Sequence, residues 1–335
     1  MLPEATGIRT FHLDADAAVY HVCHPELPLE RNFKELLYYI STMRKLVQAD
    51  YVLTYTTMKL KGGRSELAYY GAYQSKRNAH KMEDPARAQR VRDLRSMLQF
   101  YSDAVVYARP NWYFEADEVI GATHMAMLQS TGDYYCSVIG TSDKDLNMYP
   151  GIIMDLRKQT FTHLPMDNQF GWVEYGGKSK TKKLVGRGTK FFWAQMLSGD
   201  TVDTVEGLPF ITPQMLNKYM PLKSKSNGVR EQQACGDGKA VELLSRCNSD
   251  AACFRVVSEL YASYFRGDWP FFFFEMAFIL WMRRSDKVLD VMDFLRPLGF
   301  DYTLHPQQQA AIAEFQKNCA IAAGEANAIR IPNWQ

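Results

Sequence analysis

The chain has little of what marks several large protein classes. Its six cysteines (Cys23, Cys136, Cys235, Cys247, Cys253, Cys319) form no CxxC pair and no Cys/His zinc spacing. That argues against a disulfide framework or a zinc site and for a reduced, intracellular protein, with the cytoplasm as the expected location. No basic segment followed by an apolar run and a cleavage site opens the sequence, so no signal peptide is expected. Long hydrophobic runs are missing too: the longest, Trp269 to Met282 with four consecutive phenylalanines, is broken by Glu275. It is shorter than the roughly 20 residues of a membrane span, so a buried helix and no membrane partner are expected. Neither sign of charge dominates, the net being +2, and 47% hydrophobic content excludes a disordered chain. There is no internal repeat or low-complexity tract.

What the sequence does contain is an alternation of apolar runs with acidic punctuation. The stretch Ser137-Val-Ile-Gly-Thr-Ser-Asp-Lys-Asp-Leu146 follows an apolar run that reads as a buried parallel strand, and its end delivers Asp143 and Asp145. In open α/β sheets that end is where ligands bind. Ile8 to Leu13 reads as a first strand ending at Asp14-Ala-Asp16, residues 31–48 as an amphipathic helix, and Tyr51 to Tyr55 as a second strand. Asp84-Pro85 opens a helix reaching about Tyr101, Ala104 to Ala108 gives a third strand, and Glu115, Asp117 and Glu118 open a helix continuing through Met127. Gly151 to Leu156 and Thr160 to Leu164 read as a further pair of strands. Near residue 165 the pattern changes to helices and loops: 189–198, 213–219, 238–246, 250–265, 269–283, 286–294 and 306–323. The expected fold is α/β, a mostly parallel sheet flanked by helices over 1–165, followed by a mainly helical region over 166–335.

Basic residues crowd into two stretches. Residues 58–83 interleave Lys59, Lys61, Arg64, Lys76, Arg77 and Lys81 with Tyr69, Tyr70 and Tyr73. Such a mixture suits a segment that grips a phosphate backbone and stacks on exposed bases, the alternative being an ordinary solvated loop. Lys178-Ser-Lys180-Thr-Lys182-Lys183, with Arg187 and Lys190, reads as a basic linker suited to phosphate contacts.

Four acidic groups stand out: Asp14/Asp16, Glu115/Asp117/Glu118, Asp143/Asp145 and Asp200/Asp203. Capping a helix N-terminus would explain one or two of Glu115, Asp117 and Glu118. Strand ends of a parallel sheet converge on one edge, however, and so many carboxylates together need a compensating cation. Hard oxygen ligands without convergent His or Cys select Mg²⁺ or Mn²⁺. With basic flanks to hold a polyanion, the implied chemistry is two-metal phosphodiester hydrolysis.

As an ordered set, Asp14-x-Asp16, Arg64-Ser-Glu-Leu67 with Tyr73-Gln-Ser-Lys-Arg77, Glu115-Ala-Asp117-Glu118-Val-Ile-Gly121, Ser142-Asp-Lys-Asp145 and Gly199-Asp-Thr-Val-Asp203 resembles the phage and bacterial 5′-to-3′ exonuclease and flap endonuclease superfamily. The resemblance spans about residues 8–247. It implies a PIN-like nuclease domain with a helical arch at 58–83, a helix-three-turn-helix element, and removal of nucleotides or flaps from DNA 5′ ends, with RNA in RNA–DNA hybrids as a further substrate. It also implies a replication role, a monomer, and the host cytoplasm if the chain is phage-encoded.

Residue by residue, the resemblance makes Asp14, Glu115 and Asp117 ligands of a first metal and Asp143, Asp145 and Asp200 the second group. Asp203 supports that group, with Asp16 and Glu118 as auxiliaries. Arg77 matches the arch arginine at the scissile region. The arch lysine is replaced by Gln74, which passes its role to Lys76, and a further family acid is replaced by Thr56 or Thr57. Arg64, Tyr73, Lys180, Lys182 and Lys183 become DNA contacts. The duplex-binding turn is split into Glu206-Gly-Leu-Pro209 and Cys235-Gly-Asp-Gly-Lys-Ala240, where Gly236, Gly238 and Lys239 would meet a phosphate; a K⁺ site there is the corresponding expectation, against the altered spacing.

Two rivals remain. A haloacid-dehalogenase-like phosphatase would use Asp14-x-Asp16 and Asp200, but has no need of Glu115, Asp117 and Glu118. A nuclease-fold module that binds branched DNA without cutting it would account for the Gln74 and Thr56/Thr57 departures.

Overall fold

The structure, a computed structural model, describes residues 2–71, 73–75, 84–177, 182–220 and 230–328. Six strands form its centre: β1 (Thr10–Asp14), β2 (Tyr51–Thr57), β3 (Val106–Asn111), β4 (Ser137–Thr141), β5 (Gly151–Asp155) and β6 (Thr160–Leu164). Their order is β3-β2-β1-β4-β5-β6. The first five run parallel, and β6 closes one edge antiparallel to β5. This is the expected α/β architecture with a mostly parallel sheet and a largely helical remainder.

Parallel strands need crossovers, and helices supply them. Between β1 and β2 lie α1 (Ala15–Val22) and α2 (Leu29–Val47); between β2 and β3 lie α3 (Arg64–Leu67) and α4 (Pro85–Leu98); α5 (Ala116–Thr131) joins β3 to β4. Helix α2 buries Leu36, Ile40, Met43 and Val47 on one face and stops at Gln48, whose φ of 57° is left-handed. The α4 start is as expected: the Asp84 side chain accepts from the Arg87 N–H, with Pro85 in the first turn. Strands β3 and β4 begin two to three residues later than their apolar runs, because Asp103 and Asp133 first turn the chain by accepting from the Val105 and Tyr135 N–H groups.

Alternation along the strands sends neighbouring side chains to opposite faces. Phe11, Leu13, Val52, Val138 and Ile152 pack beneath α1, α2 and α4. Tyr55, Ile139 and Ile153 face the other way, into a cluster that also holds Ile120 and Met125 of α5. Each such fully buried side chain contributes about 1.5–3 kcal/mol.

After the sheet come β7 (Trp172–Gly176) and β8 (Lys183–Arg187), then α6 (Thr189–Ser198), β9 (Phe210–Ile211), α7 (Pro213–Tyr219) and β10 (Gln233–Ala234). Four longer or terminal helices and one short one follow: α8 (Asp237–Leu244), α9 (Asp250–Phe265), α10 (Trp269–Leu280), α11 (Asp290–Leu295) and α12 (Pro306–Ala328). The basic stretch expected to be a linker forms, over its described residues, an arm of an antiparallel hairpin, Trp172 pairing with Arg187 and Gly176 with Lys183. Helix α10 is buried as expected, and among the described residues no helix is long and apolar enough to cross a membrane. The second face of the sheet has no separate core of its own. Its buried cluster runs from Tyr55 and Ile139 through Phe192 and Trp193 to Phe273, Trp281 and Leu295, across the pattern change near residue 165.

Candidate metal centre

From β1 the chain winds to β2 and β3 on one side, while β4 and β5 lie on the other. The carboxyl ends of β1 and β4 therefore flank a topological switch point, where open α/β sheets leave a crevice. Asp14 ends β1 beside Thr141, which ends β4. The Thr141 hydroxyl donates to Asp14 Oδ2 at 2.8 Å, and Asp14 Oδ1 caps α1 through the Ala17 N–H at 3.0 Å. Burial, then Asp16, then Asp143 push the Asp14 carboxyl up to about 7, against those two hydrogen bonds. Asp16 turns aside to Arg95, whose Nε lies 2.8 Å from Oδ1.

Past β4 the chain makes a tight turn. The Asp143 N–H donates to Thr141 Oγ1 at 2.9 Å and the Asp145 N–H to Asp143 Oδ1 at 3.0 Å. On the facing side, α6 ends at Gly199, and Asp200 pairs with Val205 through two backbone hydrogen bonds that fold 200–205 back on itself. Asp200 and Asp203 thereby meet Asp145: one carboxylate oxygen from each lies within 4.8 Å of the other two. Among the described residues this is the one group of three His, Cys, Asp or Glu side chains placed to hold a metal ion.

Two further side chains shape the triad. Gln195, fully buried in α6, donates to Asp145 Oδ1 at 2.7 Å. Lys144 Nζ lies 2.8 Å from Asp200 Oδ2 and 3.9 Å from Asp145 Oδ1. Burial works against its charge, but Asp145 and Asp200 hold the Lys144 ammonium above its usual range. Burial and Asp143 push the Asp145 carboxyl up to about 8. Lys144 thus stands where a cation is wanted, and the donor set is oxygen only. These residues fit a hard divalent ion.

The remaining acids form a second assembly at the start of α5. Glu115 is the N-cap, and Glu118 closes a capping box by accepting from the Glu115 N–H at 3.1 Å. Glu115 Oε2 accepts from Arg64 Nη1 and from the Tyr73 hydroxyl, each at 2.8 Å, and Oε1 from Gln74 Nε2 at 3.1 Å. Glu118 is 2% exposed and pairs with Arg283 Nε at 2.8 Å and Arg64 Nη2 at 3.5 Å. Asp117 is half-buried between them. Burial, Glu115, Glu118 and Asp143 raise its carboxyl well above the usual range, against Arg64.

The structure thus places the expected ligands in two groups. Asp203 joins Asp145 and Asp200 as a full member of the triad, while Asp143 faces Asp14 and Asp117 electrostatically. Asp14, Glu115 and Asp117 do not make a comparable group. Arg64, expected as a DNA contact, is 4% exposed and engaged by two carboxylates, and Tyr73 donates to Glu115 beside it. Gln74, at a left-handed φ of 56°, carries its amide to Glu115 while Lys61 donates to its carbonyl. Thr57 Oγ1 accepts from the Ala116 N–H at 2.9 Å, so it ties α5 to β2; Thr56 is buried. Lys76, Arg77 and Lys180 lie outside the described residues.

Lys182 lies over the Tyr175 ring at 5.9 Å, and Lys183 opens β8. Nearby, α8 starts with Gly236 as an N-cap lacking a side-chain cap, and Asp237 Oδ2 accepts from the Leu184 N–H at 2.8 Å. The β9–β10 ladder, Phe210 to Ala234, brings the two halves of the split turn together. A Cβ added at Gly238 would stand 3.4 Å from the Tyr175 ring, and Lys239 Nζ donates to the Ala234 carbonyl at 3.1 Å. Lys144, Gln195 and Arg283 were not singled out in the sequence. Only Lys144 had a signal there, its place between two motif aspartates.

No protein-family model and no curated protein matches the chain. Among solved structures, those it resembles include 5′ nucleases. They include a bacteriophage T5 flap endonuclease solved as a pseudo-enzyme–product complex with DNA and metal ions, at 12% identity, covering 87% of this chain and 98% of that one with a TM-score of 0.45. Another is the T5 5′-exonuclease with zinc bound, at 13% identity, covering 87% and 100% with a TM-score of 0.44. Likeness of this depth assigns no residue roles, which rest on the carboxylates themselves.

Proposed function

We propose that the chain is a divalent-metal-dependent 5′ nuclease acting on phosphodiester bonds at DNA 5′ ends or flaps. The observation that carries this reading is the Asp145/Asp200/Asp203 triad at the switch-point crevice, with Lys144 standing among its oxygens. Mg²⁺ or Mn²⁺ held there would supply Lewis-acid stabilisation of charge on the phosphate oxygens and a more acidic bound water. Gln195 orients Asp145, and Lys144 offers a second positive charge to a phosphate once a metal satisfies Asp200. Asp143 repels both Asp14 and Asp117, and these half-buried or buried carboxylates would be the ligands of a second ion. Arg64 and Gln74 hold Glu115 in place beside them.

Duplex backbone would lie against Lys182, Lys183, Lys239 and the α8 N-terminus, with Lys180 adding charge, while Lys76 and Arg77 would meet the scissile region. The test is digestion of 5′-labelled duplex, nicked, flapped and RNA–DNA hybrid substrates with Mg²⁺, with Mn²⁺ and with excess EDTA. Cleavage from 5′ ends that EDTA abolishes is expected. Full activity in EDTA, or phosphate release from p-nitrophenyl phosphate in place of DNA cleavage, would sink the reading.

A further inference from the structure

The stretch that resembles the nucleases ends near Cys247, yet later residues hold the segment that delivers Tyr73 and Gln74 to Glu115. Helix α10 carries Glu275 among phenylalanines, with its side chain fully buried. Glu275 Oε1 accepts from the Tyr70 N–H at 2.7 Å, and its Oε2 has no hydrogen-bond partner. The Tyr70 ring packs edge-on against Phe272 and Phe265 of the same helical layer. One residue earlier, the Tyr69 hydroxyl donates to the Gln307 carbonyl of α12 at 2.8 Å. Gly63 lies against Phe315 so closely that a Cβ would stand 3.2 Å from its ring, and the Gly62 carbonyl accepts from Arg283 Nη2 at 3.0 Å.

A carboxyl group in such a place is costly, because burial removes water and half of its acceptor capacity goes unused. Burial pushes it up to about 7 even though the Tyr70 N–H favours the ionised form. Methionine would fill the same volume without that cost. What the carboxyl adds is a directional grip on main chain three to four residues before Tyr73 and Gln74.

We propose that Glu275 is a positioning residue for the acidic site, holding the Tyr69–Tyr70 main chain so that Tyr73 and Gln74 reach Glu115. The consequence for cleavage rests on the nuclease reading above; the grip itself does not.

The test uses the full chain with Glu275→Met and Glu275→Gln. Amide hydrogen exchange across 68–75, single-turnover cleavage at saturating enzyme, DNA binding and thermal midpoint are measured for each. In Glu275→Met, exchange at Tyr70 should speed up about tenfold or more and cleavage slow about ten- to a hundredfold. Binding should stay within about twofold and the midpoint should not fall. Glu275→Gln keeps a carbonyl for the Tyr70 N–H and should lie between Met and wild type. Wild-type exchange and cleavage in Glu275→Met would overturn the proposal, as would a rate loss that tracks a lowered midpoint with no rescue by Gln. Should Glu275→Met not fold, Glu275→Gln decides by the same exchange and rate readouts. If the wild type cleaves no DNA, the nuclease reading falls and the exchange result alone decides the positioning.

Discussion

Asp145 shares Gln195, Lys144 and two other carboxylates. Replacing it by Asn removes a charged ligand but keeps the shape and the Gln195 contact. Cleavage should fall about a hundredfold or more while DNA binding stays level or tightens, because less negative charge faces the polyanion. Single-turnover rates beside binding isotherms check this, and normal turnover in a folded variant would contradict it. Lys144→Gln probes the opposite sign: without metal the triad loses its counter-charge, so stability should drop by about 1 kcal/mol, a small value because the lysine is partly exposed. Added Mg²⁺ should recover more stability in the variant than in the wild type, as urea midpoints with and without EDTA would show. His124 sets an acid limit away from this site. Its Nε2–H donates to the Pro150 carbonyl and its Nδ1 accepts from Ser137, and burial lowers it to about 4. A base with a depressed folded value is protonated first in the unfolded chain. Its stability contribution is thus full above about pH 6.5 and is lost as pH falls toward 4, by up to roughly 3 kcal/mol. Because the raised carboxyls of Asp14, Asp145 and Glu275 act with the opposite sign in the same window, the His124 share is read as a difference: the stability gap between wild type and His124→Asn should shrink by up to that amount as pH falls from about 6.5 toward 4, as paired denaturant midpoints would show. At this scale the acids were legible, since a carboxylate at the end of an apolar run is out of place in a core. Their cations were not: Glu118 and Arg283 are 165 residues apart, and no local pattern links them.

At the scale of elements, α5 shows how tightly the site is built. Gly121 lies where a Cβ would fall 1.7 Å from Tyr149 Cζ, and Tyr149 is fully buried. Gly121→Ala must push α5 off the sheet or displace the ring, at a cost of about 1–3 kcal/mol despite alanine's better helix propensity. A urea midpoint equal to wild type would show that the helix has room to move. Most helices were readable from their periodicity, and α6, α7 and α9 keep the expected ends: Thr189–Ser198, Pro213–Tyr219 and Asp250–Phe265. The β7–β8 hairpin was not. Lysines dominate the sequence over 178–183, and Trp172, Glu174 and Tyr175 are all exposed, so the strand lacks the apolar alternation that marks a half-buried one.

For the whole molecule, one buried cluster joins the sheet to the last helices, from Tyr55 and Ile139 to Phe273 and Leu295. Residues on both sides of 165 therefore lose their burial together, and calorimetry should show one cooperative transition; two resolved transitions would contradict a shared core. That sharing was invisible in the sequence, where the change of pattern near 165 reads as a boundary. The clasp on Tyr69 and Tyr70 carries one more consequence, and it concerns time. Its partners Glu275 and Gln307 follow by 205 and 238 residues. A ribosome adding about 5–20 residues per second needs roughly 10–40 s to travel from Tyr70 to Glu275. The strands and the Asp145/Asp200/Asp203 triad are completed within that interval, before the residue that braces the segment beside Glu115 exists. On a chain still being made, the segment that meets Glu115 therefore goes unbraced until Glu275 has been added and has left the ribosome.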